Sequence, residues 1–212
     1  FVRPFGRPYD GTSPRYVPCS KEVKTKLLST AWAQGDGYND LLNNMGCNTF
    51  LNPNGRPPVG CVATAAAQIL KYWSKPNANY NYSLMPDGDN SNTEVQRLMR
   101  DLGQPSHLDM SYECSGSSAP SVNVISTLAN HFTYSNPGQL INYTSTSGFN
   151  TIKSDLDQGE IVYFEGSDYD TFRTIWPFRK IIFNGAHAWL CDGYTILDAN
   201  CSPTKYLHMN WG

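Results

Sequence analysis

The sequence carries little charge, and neither sign dominates. Sixteen Lys and Arg residues stand against 18 Asp and Glu residues, a formal net charge of −2, and only 16% of the 212 residues are charged. A chain without a cationic excess lacks the broad positive surface that attracts phosphate backbones or anionic lipids. Nucleic acid is therefore not an expected partner.

Long hydrophobic runs are also missing. The longest apolar stretches, residues 161–164 and 180–183, have the length of a strand, whereas a helix needs about 20 apolar residues to cross a bilayer. No membrane span is expected. Residue 1 is Phe, and no charged segment followed by an apolar one marks a signal peptide, so we expect a processed or trimmed product.

The signatures of several other enzyme classes are absent. The sequence contains no GxSxG turn of a serine hydrolase and no HExxH helix of a zinc protease. Its cysteines do not form the CxxC pairs of a structural zinc site. No metal or cofactor is expected.

The cysteine count leaves the redox state open. The six are Cys19, Cys47, Cys61, Cys114, Cys191 and Cys201. If Cys61 is a free thiol, the other five permit up to two disulfides, which would suit an oxidising, extracellular compartment. Spacing does not determine their connectivity, and buried free cysteines are equally compatible with the sequence.

Periodicity divides the chain into two parts. Helices are predicted over residues 61–73, 92–102 and 121–131, and residues 21–32 also have apolar residues near helical spacing before the turn at Gly35-Asp36-Gly37. After about residue 140, short β-favouring runs dominate, apart from an amphipathic stretch over 149–156. Helices followed by strands predict an α+β fold with two subdomains.

Domain boundaries follow the same division. Residues 1–26 include a Pro-rich and Gly-rich beginning without hydrophobic period, and they are predicted to be an N-terminal arm or the remnant of a pro-segment. Residues 27–212 are predicted to be the folded domain. Its helical part covers about 27–138 and its β part about 139–212.

Cys61 is the candidate nucleophile. It follows Gly60 and opens the predicted helix, so its sulfur would lie in the first turn, where unpaired N–H groups and the helix dipole favour a thiolate. Ala63 and the alanines at 65–67 would let this helix pack closely. The alternative is a buried structural cysteine, the commoner role of a lone cysteine.

His187 is the candidate base among four histidines. It follows the small-residue turn Asn184-Gly185-Ala186 and begins an apolar strand, where an imidazole can face a cleft on a rigid support. His107, His131 and His208 fit surface or packing positions. A hydrogen-bonded core histidine remains an alternative for His187 too.

Five blocks of sequence together resemble a known family. They are QGDGYN at 34–39, GCVATAAAQILKY at 60–72, GEIVYFEG at 159–166, GAHAWLCDG at 185–193 and HMNWG at 208–212. In this order they resemble the streptopain family of secreted bacterial cysteine proteases, over about residues 27–212. The resemblance implies a papain-like fold, a zymogen with an inhibitory N-terminal pro-domain, extracellular localisation, and hydrolysis of peptide bonds in protein substrates.

The resemblance also assigns roles to five residues. Cys61 matches the nucleophile that forms an acyl-enzyme, His187 its general base, and Gln34 the oxyanion-hole glutamine. Asn210 is expected to orient the imidazole, and Trp211 to shield that hydrogen bond from water.

Three departures from plant papain-like enzymes or from the family qualify the match. Gln34 precedes Cys61 by 27 positions, a longer separation than in plant papain-like enzymes, and Cys47 lies between them. The family continues past Asn-Trp-Gly, so the sheet of the β part is expected to be truncated at residue 212. The aromatic and basic run 169–180, with Trp176, could shape or cover the substrate cleft.

Three functions fit these residues. The first is an active cysteine endopeptidase using the Cys61 thiolate and His187. The second is a catalytically silent or zymogen-locked, protease-shaped binding module in which the two residues never pair. The third is an amidase or transglutaminase-like acyl transferase with the same pair. The sequence does not name the substrate, although the resemblance implies a preference for a hydrophobic residue two positions before the cleaved carboxyl.

Overall fold

A computed structural model describes residues 20–50, 52–75, 79–139, 146–169, 173–175, 178–180, 183–199 and 202–212. The helices in these parts are α1 (Cys61–Trp73), α2 (Thr93–Leu102), α3 (Val122–Asn130) and α4 (Thr146–Asp157). The strands are β1 (Ser20–Lys24), β2 (Cys47–Thr49), β3 (Asn52–Gly55), β4 (Val162–Tyr169), β5 (Arg173–Ile175), β6 (Phe178–Lys180), β7 (Phe183–Ala199) and β8 (Ser202–Asn210).

The long strand β7 is the centre of the main sheet. It pairs antiparallel with β4, β8 and β1. Leu190 lies opposite both Tyr163 of β4 and Asn210 of β8, and Tyr194 lies opposite both Lys24 of β1 and Leu207 of β8. Strands β4 and β1 therefore follow one another along one edge of β7, and β8 occupies the other edge.

Strand β1 corrects the sequence prediction at the N-terminal end. The helical spacing of residues 21–32 does not produce a helix, because residues 20–24 pair with β7 over five positions, from Ser20 opposite Asp198 to Lys24 opposite Tyr194. A long strand with an unpaired edge overrides a weak helical period. Residues 20–24 were also assigned to the N-terminal arm, and here they are part of the sheet.

Helix α1 is buried on all sides along most of its length. Every residue from Val62 to Leu70 is buried, which the run of alanines permits because small side chains allow neighbouring elements to approach closely. The helix begins at Cys61 and ends at Trp73, as predicted. Around it lies the larger hydrophobic cluster, formed with α2, α3 and the β7 residues Ala188 and Leu190.

The two other predicted helices of the helical part are confirmed. Helix α2 is capped by Asn92, whose side chain accepts hydrogen bonds from the backbone N–H groups of Glu94 and Val95, the usual role of Asn at such a position. Helix α3 follows Ser121, whose hydroxyl bonds Tyr163 rather than the start of the helix.

A second, smaller cluster lies on the other face of the sheet. The amphipathic stretch predicted at 149–156 forms α4, which buries Phe149, Ile152 and Leu156 against Cys191 and Tyr194 of β7. Consecutive side chains of a strand point to opposite faces, so β7 supplies residues to both clusters. The predicted α+β division into a helical and a β part is confirmed.

A disulfide joins the long loop before α1 to the segment that follows α2. Cys47 of β2 is bonded to Cys114, 67 positions later, while Cys61 and Cys191 are free thiols. Closing a loop of that length restricts the unfolded chain by about 4 kcal/mol in the chain-entropy description. The bond fastens the β2–β3 hairpin to the segment that follows α2.

Two further observations bear on the sequence predictions. Within the described parts of the chain, no helix has the length and apolarity needed to cross a membrane. Strands β5 and β6 pair with each other inside the aromatic and basic run 169–180. Trp176 itself lies outside the described residues, so a role of this run in covering the cleft stays a prediction.

A cluster of charges joins β1 to α4. The Lys153 ammonium donates to Glu22 and Asp157 at 2.6 and 2.7 Å, and the Tyr194 hydroxyl lies 2.8 Å from an oxygen of each carboxylate. The hydrogen bonds from Lys153, followed by those from Tyr194, lower the pKa of Glu22 and of Asp157. Carboxyls whose pKa is lower in the folded state stabilise it above the unfolded pKa of about 4, and this contribution is lost as pH falls through the folded values.

Replacing this lysine should therefore have a pH-dependent effect on stability. Lys153→Met is expected to lower the melting temperature at pH 7, with a difference from wild type that shrinks progressively below about pH 4. Thermal denaturation followed by circular dichroism at several pH values measures it. Lys21→Met, an exposed lysine of β1, is the control and should show little effect. A Lys153→Met difference that is constant from pH 7 to pH 2.5 would contradict the role of these pairs.

Candidate active site

Cys61 is the first residue of α1 and is partly exposed, unlike the nine residues that follow it. No acidic residue occupies the first turn of the helix. The unpaired N–H groups there, with a dipole equivalent to roughly half a positive charge, attract negative charge to this end of the helix. Cys61 is thus accessible to a substrate and is attached to the most deeply buried helix of the domain.

Gly60 allows a loop to approach the start of α1. Its φ of 91° lies in the left-handed region, and a Cβ at this position would stand 2.7 Å from the Ser117 carbonyl oxygen and would clash with the end of Met110. Any other residue would force this loop away. The absence of a side chain at Gly60 therefore allows the 110–118 loop to lie beside the start of α1.

Gln34 is bonded to the segment just before the nucleophile, although 27 positions separate it from Cys61 in sequence. Its carbonyl oxygen accepts a hydrogen bond of 2.9 Å from the N–H of Val59, two residues before Cys61. The side chain of Gln34 is partly exposed, and its amide makes no hydrogen bond with any described residue. The NH2 group is thus available to a ligand, as the oxyanion-hole prediction requires.

Buried asparagine hydrogen bonds order the loop between Gln34 and Cys61. Asn39 is fully buried, and its Nδ2 lies 3.2 Å from Oδ1 of Asn52 and 3.0 Å from the Pro57 carbonyl oxygen. Nδ2 of Asn54 donates a hydrogen bond of 2.7 Å to Oδ1 of Asn39. Buried polar groups whose hydrogen bonds are all satisfied specify one geometry. The loop therefore fixes the position of Gln34 relative to Cys61.

His187 is held by a backbone carbonyl. Its Nε2 lies 2.8 Å from the carbonyl oxygen of Trp211. Because a carbonyl only accepts, Nε2 must carry a proton, and the neutral ring then has its lone pair on Nδ1. His187 is therefore set up to accept a proton at Nδ1. If the ring becomes an imidazolium, the bond to the carbonyl becomes charge-assisted, a class worth about 1.5–3 kcal/mol.

A short series of contacts places this imidazole near the start of α1. Gly212, next to Trp211, lies against Thr64: a Cβ on the glycine would stand 3.1 Å from the Thr64 methyl group. Thr64 is three residues after Cys61, and residues three apart are neighbours on a helix surface. The same turn that binds His187 therefore packs against the face of α1 that begins with Cys61.

Two indole rings lie beside the imidazole and beside each other. His187 stacks with Trp189 and with Trp211, at centroid separations of 5.9 and 6.0 Å, and the two indoles lie 4.8 Å apart. Gly166, opposite His187 on β4, makes room: a Cβ there would lie 2.8 Å from the Trp189 ring. Trp211 thus lies beside His187, and its role in shielding a hydrogen bond of the imidazole stays a prediction.

Asn210 makes other contacts than the one predicted for it. Its Nδ2 donates to the Thr30 carbonyl at 2.7 Å, and its Oδ1 accepts from Gln68 at 3.4 Å and from the Gly212 N–H at 3.3 Å. None of these partners is His187. The Nε2 of His187 is hydrogen-bonded to the Trp211 carbonyl instead. Any influence of Asn210 on the imidazole therefore passes through the 210–212 turn.

Cys61 and His187 are not hydrogen-bonded to each other in the described structure. Catalytic hydrogen bonds are often long in free enzymes and shorten when substrate binds. The other three histidines have partners elsewhere, since His107 stacks on His131 at 4.1 Å and His208 lies 2.5 Å from the buried Asp192. Of the four, His187 is the one bound to the turn that packs against Thr64 of α1.

A tyrosine that the sequence reasoning did not select also lies near Cys61. Tyr163 of β4 packs, as Cys61 does, against the larger cluster, and its hydroxyl lies 2.7 Å from that of Ser121. Burial raises the pKa of Tyr163, with the negative charges of Glu165 and Cys61 acting in the same direction. Alternation along β4 predicts that Tyr163 faces one side of the sheet. It does not predict which residues lie beside Tyr163, and only the structure shows them.

Cys191 contrasts with Cys61. It is fully buried, and burial raises the pKa of its thiol to about 11, so it stays protonated and unreactive at neutral pH. In the described ranges, no three His, Cys, Asp or Glu side chains converge as a metal site.

The two thiols should therefore react very differently. Iodoacetamide at pH 7.5 is expected to alkylate Cys61 in the native protein, and Cys191 only after unfolding in denaturant. Mass spectrometry of the proteolytic peptides measures both sites. Alkylation of Cys191 in the native protein at the rate of Cys61 would contradict the contrast in burial.

Comparison with solved structures shows the fold. Active wild-type interpain A, a cysteine protease of Prevotella intermedia, superposes with a TM-score of 0.66 at 23% identity, covering 90% of this chain and 82% of that one. A fragment of prointerpain A gives the same TM-score at 24% identity, over 90% of this chain and 62% of its own. The predicted papain-like α+β fold is confirmed.

Sequence comparison extends this to the family. Streptopain of Streptococcus pyogenes serotype M28 is 27% identical over 96% of this chain, which spans 56% of that protein's length. The thiol protease/hemagglutinin PrtT of Porphyromonas gingivalis is 26% identical over 85% of this chain and 21% of its own. The Peptidase C10 family model matches residues 32–81 and 77–212. The chain belongs to the Peptidase C10 family of bacterial cysteine proteases.

Proposed function

We propose that this chain is a cysteine endopeptidase that hydrolyses proteins through a Cys61 thiolate, a His187 base and an acyl-enzyme intermediate. One observation carries the proposal: Nε2 of His187 is bound to the Trp211 carbonyl, beside the face of α1 that begins with Cys61. This leaves the lone pair of the neutral ring on Nδ1. The site thus offers a nucleophile at a helix N-terminus and a base with a defined tautomer.

The reaction follows from these groups. Nδ1 of His187 takes the proton of the Cys61 thiol, and the thiolate attacks the carbonyl carbon of the scissile peptide bond. The resulting imidazolium donates this proton to the leaving amine as the C–N bond breaks, which leaves a thioester on Cys61. His187 then deprotonates a water that hydrolyses the thioester and regenerates the thiol.

The developing oxyanion needs donors, and two are available. The N–H of Cys61 lies in the unpaired first turn of α1, and the Gln34 side-chain amide is free of partners among the described residues. Preorganised donors of this kind do not need to reorient during the reaction. The 34–61 loop, ordered by Asn39, fixes their separation.

Biological context is part of the proposal. Protein substrates follow from the family, and an inhibitory N-terminal pro-domain is supported by the prointerpain A fragment among the structural neighbours. Secretion from a bacterial cell is supported by the bacterial relatives and by the Cys47–Cys114 disulfide, because such bonds persist in oxidising compartments.

A second candidate is a silent or zymogen-locked protease-like module. It is favoured by the missing hydrogen bond between Cys61 and His187. In such a module the thiol would react like an ordinary cysteine, whatever the state of His187.

Substitution of Cys61 and of Cys191, the free cysteines among the described residues, separates these candidates. Cys61→Ala is expected to abolish casein hydrolysis and labelling by an epoxysuccinyl inhibitor with the fold intact, because no other accessible thiol is proposed to form the acyl-enzyme. Cys191→Ala is the matched control and should retain both. Hydrolysis and circular dichroism are measured under reducing conditions, since an oxidised thiol cannot attack. Casein hydrolysis by Cys61→Ala would rule out the proposed nucleophile.

The oxyanion role of Gln34 makes a separate prediction. Gln34→Ala should lower kcat by about 10²–10³ with a much smaller change in KM, since the lost hydrogen bond forms mainly in the transition state. Steady-state kinetics on a fluorogenic peptide measure both constants. Gln34→Glu keeps the size but replaces the NH2 donor with a negative charge, and it should be at least as impaired. An unchanged kcat for Gln34→Ala would exclude the assignment.

A further inference from the structure

We propose that Thr30 and Gln68 are positioning residues that hold the three segments of the active site in register. The inference rests on the proposed function. Neither residue belongs to the predicted catalytic set, and neither lies at the site where peptide would bind. They act on Cys61, His187 and Gln34 through the segments to which those groups are attached.

The two residues form a buried polar network with Asn210. The Thr30 hydroxyl donates to Oε1 of Gln68 at 2.8 Å, and Nε2 of Gln68 lies 3.4 Å from Oδ1 of Asn210. Nδ2 of Asn210 donates to the Thr30 carbonyl at 2.7 Å and closes the circuit. Gln68 is fully buried and Thr30 is 5% exposed. A glutamine side chain in such a place is retained only if its amide is hydrogen-bonded.

Each member of the network belongs to a segment that carries one predicted catalytic group. Thr30 is four residues before Gln34, and Asn210 begins the turn whose Trp211 carbonyl binds His187. Gln68 lies on α1, seven residues after Cys61. Residues three and seven positions apart share one face of a helix, so Cys61, Thr64 and Gln68 form a line along α1.

Thr64 and Gln68 of that line both contact the 210–212 turn. Gly212 lies against Thr64, and its N–H also lies 3.3 Å from Oδ1 of Asn210. Gln68 therefore fixes the beginning of the 210–212 turn, while Thr64 supports its end. The carbonyl of Trp211 lies between these two points. Displacement of Asn210 would move that carbonyl, and with it Nε2 of His187.

The geometry of the network fits a positioning role better than a purely stabilising one. Apolar side chains of similar shape at both Thr30 and Gln68 would fill these positions without needing partners, and replacement of both members of a buried polar pair is often neutral for stability. Hydrogen bonds, in contrast, define direction and distance. A misplacement of about 1 Å between reacting groups can cost on the order of 10²-fold in rate.

Thr30 provides the cleaner test. Thr30→Val keeps the shape of the side chain and removes the hydroxyl, leaving Oε1 of Gln68 without its donor. Thr30→Ser keeps the hydroxyl and loses only a methyl group. We expect Thr30→Val to lower kcat on a fluorogenic peptide about tenfold or more, with KM changed less than about twofold, and Thr30→Ser to restore most of kcat.

Gln68→Met is the second variant, in case Thr30→Val impairs folding. It keeps the length of the side chain and removes both polar contacts. Ile69→Val is the matched control, because Ile69 is the next residue of α1, is buried, and makes no polar contact. All variants are compared by thermal denaturation, by kcat and KM, and by the pH dependence of iodoacetamide alkylation of Cys61.

The outcomes distinguish the possibilities. Loss of kcat with a shifted alkylation profile in Thr30→Val and Gln68→Met, but not in Ile69→Val at similar thermal stability, supports the proposal. Wild-type kcat and alkylation profile in both network variants overturn it and leave the proposed function standing. If the wild-type protein itself neither hydrolyses peptide nor shows a reactive Cys61, the proposed function fails, and this inference fails with it.

Discussion

The burial of α1 from Val62 to Leu70 is the constraint on which the site depends. A helix that is enclosed on all sides from Val62 to Leu70 cannot shift without disturbing the larger hydrophobic cluster. Its first residue, Cys61, is therefore a fixed point at the surface. Gln34 is attached to it through Val59, and the turn that binds His187 is attached through Thr64. The alanines of the helix make this possible because they let neighbouring segments come close.

The sequence predicted what depends on residue type and period. Helix α1 has the predicted bounds, and the patterns of α2, α3 and α4 were recognised because apolar residues recur at helical spacing in each. The strand at 20–24 was missed, since five residues of mixed character carry no signal that outweighs pairing with a distant strand. The Cys47–Cys114 pairing could not be predicted either, because the spacing of cysteines does not show which of them are bonded.

In the candidate site too, the sequence indicated the features that depend on residue type and missed those that depend on backbone geometry. Cys61 and His187 were selected by their local context, and Gln34 by the family resemblance. The group that binds Nε2 of His187 is a main-chain carbonyl, and every residue has one, so the sequence could not indicate it. Asn210 was expected in that role because an amide side chain is a visible candidate. Thr30 and Gln68 were not recognised because polar residues are usually at the surface.

The central claim is that the Trp211 carbonyl holds His187 as the tautomer with its proton on Nε2. The ring ¹⁵N chemical shifts of His187 test it directly when they are measured in Cys61→Ala, at a pH where the imidazole is neutral and no thiolate is present. The claim predicts a protonated Nε2 and a bare Nδ1 facing the nucleophile position. A proton on Nδ1 with a bare Nε2 would contradict it.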